Sequence, residues 1–317
     1  MAKVLVTGGC GLIGDHVCSG FLKKGYEVVA ADRQSSDYNI HKDNFTFVEA
    51  KPSDKGKYAD IFEKHKIDTV IHLACTADND LGHMITDDDI KENAVCNSFI
   101  YRFAIANDVK QFILISTTQV YQLPKTREPL REDDYTKPLT NYAKLKSDSE
   151  GTMASDIGRA KGIMCAIVRV APVYTKKFAG NLEAKITDPK DNTKFVYRTG
   201  EYGFHFCCVH NLVDFLLGFC RAAEDNSYNG IYNMADKNPT MASEIIEYMK
   251  ENHRIGVVLQ RNPPNTSLNS IKNLIGNKDM KVNYRFLDFT RILNNNMFDV
   301  SKASKFCSFR WTVKNTK

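Results

Sequence analysis

The chain has 317 residues, 43% hydrophobic and 26% charged, with a net charge of +5 at pH 7. Its Lys and Arg alternate with Asp and Glu and form no basic stripe with interleaved aromatics, which argues against nucleic acid as a partner. No apolar run approaches the ~18 residues of a membrane span, and a first strand at residue 3 leaves no room for a signal peptide. The nine cysteines lack C-x-x-C spacing, so they read as reduced core thiols of a cytoplasmic protein and not as disulfides or a metal site.

The chain opens on an apolar strand, Lys3-Val4-Leu5-Val6-Thr7, that runs into Gly8-Gly9-Cys10-Gly11-Leu12-Ile13-Gly14 and then a helix over about 12–24. Gly8, Gly11 and Gly14 serve a tight turn, a close backbone approach to a pyrophosphate, and helix–strand packing. The helix start aims free N–H groups and the positive dipole end at an anion. A second strand, Glu27 to Ala31, ends at Asp32. A carboxylate about 20 residues past the glycines suits a ribose hydroxyl pair. Strand, glycines, helix, strand and acid in this order predict a dinucleotide site.

Further strands are expected at Phe45–Val48, Thr69–Ala74, Phe112–Ser116 and Cys165–Val170, with helices near 57–65, 91–107 and 141–160. Near-continuous apolar strands separated by helices predict an α/β fold with a doubly wound parallel sheet, its ligands at the carboxyl ends of the strands. Past Pro172 the pattern loosens, and a helix near Leu212–Ala223 returns to the sheet. We therefore expect a dinucleotide-binding domain over 1–172 plus about 204–235. A smaller substrate-binding lobe is expected over 173–203 and 236–317.

Tyr-x-x-x-Lys spacing occurs three times, at Tyr38/Lys42, Tyr121/Lys125 and Tyr142/Lys146. Only the last falls in a helix-competent stretch, where residues i and i+4 share a face. A free tyrosine titrates near ~10. An ammonium ~5 Å away at an effective dielectric of ~20 stabilises the phenolate by roughly 3 kcal/mol, about two pKa units. That brings the phenol into the range of proton transfer near neutral pH. The strand end Ser116-Thr117-Thr118-Gln119 delivers hydroxyls to the same edge of the sheet. Other features read as ordinary. His72 is a packed core residue, His205 and His210 lack a third metal ligand, and Cys10 is a small residue accepted by the turn. Asp87–Asp89 is a helix start.

These residues together resemble the extended short-chain dehydrogenase/reductase family, the NAD-dependent epimerases and dehydratases. Thr7–Gly14 resembles its T-G-G-x-G-F-I-G turn, and Ile71-His72-Leu73-Ala74-Cys75 its I-H-L-A-A strand. Ser116-Thr117-Thr118-Gln119-Val120-Tyr121 resembles S-S-x-x-V-Y, and Asp299–Ala303 resembles D-x-S-K-A. The resemblance implies a Rossmann fold and catalysis by Thr117, Tyr142 and Lys146. It implies NAD, in preference to NADP, held by Gly8, Gly11, Leu12, Ile13, Gly14, Asp32, Arg33, Leu73, Ala74, Cys75, Asn93, Ser116, Tyr142 and Lys146. A nucleotide-linked sugar is the implied substrate, and a homodimer is a candidate assembly.

The chain also departs from the family. Thr118 and Gln119 stand where dehydratases carry Asp and Glu, so sugar dehydration is disfavoured and redox at a single carbinol carbon is the simplest chemistry left. Pro172 replaces a frequent asparagine, and Lys51-Pro52 an acidic–aliphatic pair. Phe204-His205-Phe206-Cys207-Cys208-Val209 replaces R-D-F-x-H-V without its arginine, which commonly meets a substrate diphosphate. Three functions follow as expectations: an epimerase or oxidoreductase of a nucleotide-linked sugar, a reductase of a small alcohol or ketone, and a non-catalytic NAD-binding sensor.

Overall fold

The computed structural model describes residues 2–37, 39, 41–75, 85–122, 128–154, 157, 162–188, 191–222, 228–252, 255–262 and 297–316. Tyr38, Lys125, much of 155–160 and the 263–296 part of the expected lobe lie outside the described residues.

The first half alternates strands and helices: β1 (Lys3–Thr7), α1 (Leu12–Lys23), β2 (Glu27–Asp32), β3 (Phe45–Glu49), α2 (Lys55–Lys64), β4 (Thr69–His72), α3 (Asp87–Ala106), β5 (Gln111–Thr117), α4 (Asn141–Ala154) and β6 (Met164–Val170). The second half holds β7 (Val173–Tyr174), α5 (Gly180–Glu183), β8 (Lys194–Tyr197), β9 (Gly203–Phe204), β10 (Cys207–Cys208), α6 (Val209–Arg221), β11 (Gly230–Met234), β12 (Thr240–Met241), α7 (Ala242–Glu251) and β13 (Val258–Arg261).

Seven strands form one sheet in the order β11-β6-β5-β4-β1-β2-β3, all pairs parallel. This is the Rossmann-like, doubly wound sheet expected. The strict two-residue period of a strand sends alternate side chains to opposite layers. Val4 and Val6 join one core cluster with Val17 and Phe21 of α1 and Phe215 of α6. Leu5 between them joins the other, with Ile61 of α2 and Ile100 of α3. β5 and β6 divide the same way: Ile113 and Ala166 on one side, Phe112 and Ile167 on the other. Both faces of the central strands are covered, so β1, β5 and β6 read as near-continuous apolar runs.

Several details differ from the sequence reading. β4 stops at His72, not Ala74, because the N–H groups of Leu73 and Ala74 both turn back to the Thr7 carbonyl at 3.1 Å. α3 starts four residues early, at Asp87, where Thr86 and Asp89 form a capping box. β11 was not anticipated as a strand. It is short and flanked by polar residues, and its pairing with β6 makes it the sheet edge.

A third cluster gathers Leu182, Ile186, Phe204, Phe206, Ile245 and Met249, and β13 pairs with β8 beside it. The segment 298–309, which the sequence reading grouped with the lobe, lies against the main sheet instead. Phe298, Ala303 and Cys307 join the first cluster, and Phe306 sits 5.2–5.8 Å, ring to ring, from Phe215, Phe219, Tyr228 and Tyr232.

Candidate active site

The sheet order reverses between β1 and β4, and the crevice outside their carboxyl ends is where open parallel sheets take ligands. Thr7 is in register with His72, and His72 with Leu114. Gly8, Leu73 and Thr117 therefore emerge at one edge.

The glycine turn separates what the fold requires from what a ligand would require. Gly8 has φ +69°, and an added Cβ would meet Ala74 N at 3.0 Å. A Cβ on Gly14 would lie 2.1 Å from the Gly8 carbonyl oxygen. Gly11 is extended, with φ −75° and ψ 172°, and its Cβ would meet only Gly8 O, at an ordinary 3.5 Å. The space over Gly11 is thus open, in front of the first turn of α1. Leu12 and Ile13 form that turn, whose N–H groups have no intrahelical acceptor. At the end of β2 the Asp32 carboxylate accepts from Cys10 N at 2.9 Å and Arg33 N at 2.7 Å. Arg33 itself is exposed. These residues fit a dinucleotide: open space for a pyrophosphate at a helix start, and a fixed carboxylate for a ribose. Asp15, which the sequence reading passed over, also faces this corner. It accepts from Ser36 Oγ at 2.8 Å, and burial raises its carboxyl, with the Asp32 charge adding to the effect.

On the other side of the crevice α4 lies against β5. Lys146 is buried and donates to the Ile115 carbonyl at 3.2 Å. Tyr142, one turn earlier, packs with Cys75 on a small cluster of Ile85, Ile90 and Leu145. The loop after β4 and the helix bearing Tyr142 therefore meet. Thr117 is buried and its Oγ1 accepts from Gln119 N at 3.3 Å. Ser116 instead sends its hydroxyl to Glu150 of α4, at 2.5 Å. Asn93 of α3 ties that helix to α4 by donating to Ser149 Oγ at 2.8 Å.

Several features here were not read from the sequence. Thr118 Oγ1 and Gln119 Oε1 are buried without a hydrogen-bond partner, an unusual state for polar atoms. Glu150 and Arg169 form a buried ion pair under the site, at 2.8 Å. An arginine inside the apolar run Cys165–Val170 was the available signal, since a buried charge needs a buried partner. Asp236, at the end of β11, accepts from Tyr174 Oη, Cys208 N and Asn211 Nδ2 at 2.7–2.8 Å. Burial pushes its carboxyl up to about 6. His205 is buried and bridges the Asp236 carbonyl and Phe298 N, a structural clasp. No group of three or more metal-ligating side chains occurs among the described residues. No helix of these residues is long and apolar enough to cross a membrane.

The profile of the NAD dependent epimerase/dehydratase family matches residues 4–235. The chain belongs to that family. UDP-glucose 4-epimerase of Halalkalibacterium halodurans is 30% identical over 145 residues, 45% of this chain and 42% of that protein. The Rhizobium meliloti UDP-glucose 4-epimerase is 25% identical over 182 residues, 57% of this chain and 54% of that protein. The chain thus spans about half the length of these curated relatives of the family. Among solved structures, UDP-glucuronic acid 4-epimerase of Bacillus cereus, in complex with UDP-glucuronic acid and NAD, superposes with a TM-score of 0.70 at 19% identity. The match covers 98% of this chain and 94% of that one. UDP-glucose 4-epimerase of Thermotoga maritima gives 0.68 at 21% identity, over 96% and 91%. These likenesses establish a shared fold.

Proposed function

We propose that the chain is an NAD-dependent epimerase or oxidoreductase acting at a carbinol carbon of a nucleotide-linked sugar. The observation that carries this reading is the meeting of the glycine-turn edge with the Tyr142–Lys146 face of α4, through Cys75 and Tyr142. NAD, held by the glycine turn, Asp32 and Lys146, supplies a hydride acceptor and donor when bound. Tyr142 exchanges the substrate hydroxyl proton, the Lys146 ammonium stabilises its phenolate, and Thr117 orients the same oxygen. Two carboxylates near the ribose position, Asp32 and Asp15, favour NAD over NADP by repelling a 2′-phosphate. Residues 173–203 and 236–262 are proposed as the substrate-facing lobe, a homodimer as the assembly, and the cytoplasm as the location of these nine free thiols.

One observation favours a second reading, a reductase of a small alcohol or ketone. Phe204 stands where the family places its diphosphate-binding arginine, and it lines a small pocket with Pro172, Lys185, Gly203, His205, Phe206 and Phe298. Acid-quenching the purified protein and assaying released nicotinamide nucleotide, followed by thermal shift with UDP and dTDP, separates the two. Released NAD and a rise in melting temperature with either nucleotide support the first reading. An empty protein, indifferent to both, that oxidises NADH stoichiometrically with a small ketone supports the second.

A further inference from the structure

Under the candidate active site lies a charge arrangement that the proposed chemistry leaves unassigned. Tyr142, Lys146 and Glu150 follow one another at four-residue intervals on α4, so all three share a helix face. Lys146 and Glu150 are both buried, 6% and 7% exposed. A buried lysine and glutamate one turn apart should pair, yet Lys146 donates to the Ile115 carbonyl. Glu150 is occupied from the opposite side. Arg169 Nε donates to both of its oxygens, at 3.1 and 3.2 Å, and Nη2 donates to Oε2 at 2.8 Å. Ser116 Oγ donates to Oε1 at 2.5 Å. Arg169 is fixed in turn: Nη1 donates to the Glu132 carbonyl at 3.1 Å, and the guanidinium lies 4.7 Å from the centroid of the Tyr121 ring. A planar fork that engages a carboxylate through several donors sets position as well as charge.

We propose that Arg169 and Glu150 are positioning residues for the Tyr142–Lys146 pair. Arg169 saturates and neutralises the Glu150 carboxylate, which leaves the Lys146 ammonium available to Tyr142. Without the guanidinium, Glu150 would be a buried anion with one hydroxyl donor, and the nearest cation on its own helix face is Lys146. Without the carboxylate, the guanidinium would add an uncompensated positive charge beneath the site. The two losses must therefore act on the Tyr142 phenol in opposite directions. Other titratable groups lie near the pair. His72 of β4 is held neutral by burial, Cys75 packs with Tyr142 against Ile85, Ile90 and Leu145, and Tyr121 lies beyond Arg169, its phenol pushed up to about 12 by burial with the Glu132 charge also raising it.

The inference rests on the reading of Tyr142 and Lys146 given above, and one titration separates the two. Near-ultraviolet tyrosinate absorbance is followed against pH in the NAD-loaded protein. Subtracting the same titration of Tyr142→Phe isolates Tyr142 from the other tyrosines. Relative to the wild-type midpoint, Arg169→Met should move it up by roughly one pH unit and Glu150→Gln should move it down by a comparable amount. The double variant should return close to the wild type. Glu150→Gln is isosteric and keeps an acceptor for Arg169, so it decides the sign even if Arg169→Met does not fold. A midpoint unmoved in Glu150→Gln, or both single variants moving it the same way, overturns the positioning role. An ordinary tyrosine midpoint in the wild type instead overturns the Tyr142–Lys146 reading itself.

Discussion

His72 Nε2 and Asn97 Oδ1 lie 2.5 Å apart in the buried layer between β4 and α3. The direction of the proton is set by what surrounds them. Asn97 Nδ2 already donates to Ser149 Oγ at 2.6 Å, so its oxygen must accept from the imidazole. Thr7 Oγ1, which accepts from Ala74 N at 3.2 Å, then gives its own proton to His72 Nδ1 at 2.6 Å. Ser149 passes its proton to the Leu145 carbonyl at 2.8 Å. One directed chain thus runs from the loop beside the glycine turn to the residue before Lys146, and it requires a neutral imidazole. Burial supplies that, holding His72 down at about 4.

Acid should weaken the fold through this residue and through His205, also held at about 4 by burial. Both are depressed from 6.5, so their stabilisation is complete above about pH 6.5 and is lost as pH falls towards 4, by roughly 3 kcal/mol each. Asp236 works the other way. Its carboxyl is raised to about 6, so falling pH relieves roughly 3 kcal/mol between about 6 and 4. Among these three groups, a net loss of roughly 3 kcal/mol is expected between pH 7 and 4. In urea titrations at the two pH values, His72→Gln should show a flatter pH dependence and Asp236→Asn a steeper one. Profiles parallel to the wild type would contradict this.

Gly11 and Gly14 should fail differently when each becomes alanine. Gly14→Ala forces a Cβ to 2.1 Å from a carbonyl oxygen and should lower the melting temperature severely or prevent folding. Gly11→Ala meets nothing closer than 3.5 Å and should cost no more than about 1 kcal/mol as a helix N-cap change. It should nonetheless weaken NADH binding at least about tenfold, because the methyl group enters the space a pyrophosphate would use. Fluorescence titration with NADH beside a melting curve tests both.

Tyr142→Phe should lower kcat by roughly 10² to 10⁴ while NADH affinity stays within a few-fold of wild type. Lys146→Met should reduce both, since it removes a ribose contact as well as the charge beside the phenol. Steady-state rates and NADH titrations of the two variants give the comparison, and full activity in Tyr142→Phe would remove this tyrosine from the mechanism.

The parallel sheet and the glycine turn were legible because both write themselves locally, as apolar runs and as glycines at fixed intervals. The placement of Tyr142 and Lys146 on one helix was legible for the same reason. What stayed hidden depends on contacts between distant residues. His72 read as a packed core residue, which it is, but its link to Asn97 and Ser149 needs α3 and α4 folded beside β4. The Ser116 hydroxyl's bond to Glu150 likewise needs α4 folded beside β5. β11 escaped notice because a five-residue edge strand carries little periodicity, and its register partners on β6 lie 64 residues earlier.

Cofactor choice should follow Asp32. Asp32→Ala removes the carboxylate that accepts from Cys10 N and Arg33 N and should narrow the ratio of NADP to NAD dissociation constants about tenfold, chiefly by tightening NADP. Asp15→Asn should act in the same direction and more weakly. Tighter NADP than NAD binding in the wild-type protein would refute the assignment.

The segment 297–309 has a bearing on how the protein is made. Phe306 fills a ring of aromatic side chains from α6 and β11, Lys302 donates to the Ile231 carbonyl at 2.5 Å, and Leu130 donates to the Met297 carbonyl and accepts from Asp299 N, both at 2.8 Å. These residues leave the ribosome after every strand of the sheet they complete. The β6–β11 margin must therefore wait, with Phe215, Phe219 and Tyr232 uncovered, while the first five strands are already able to pair. A nascent chain of this kind is open to chaperone capture late in synthesis rather than early.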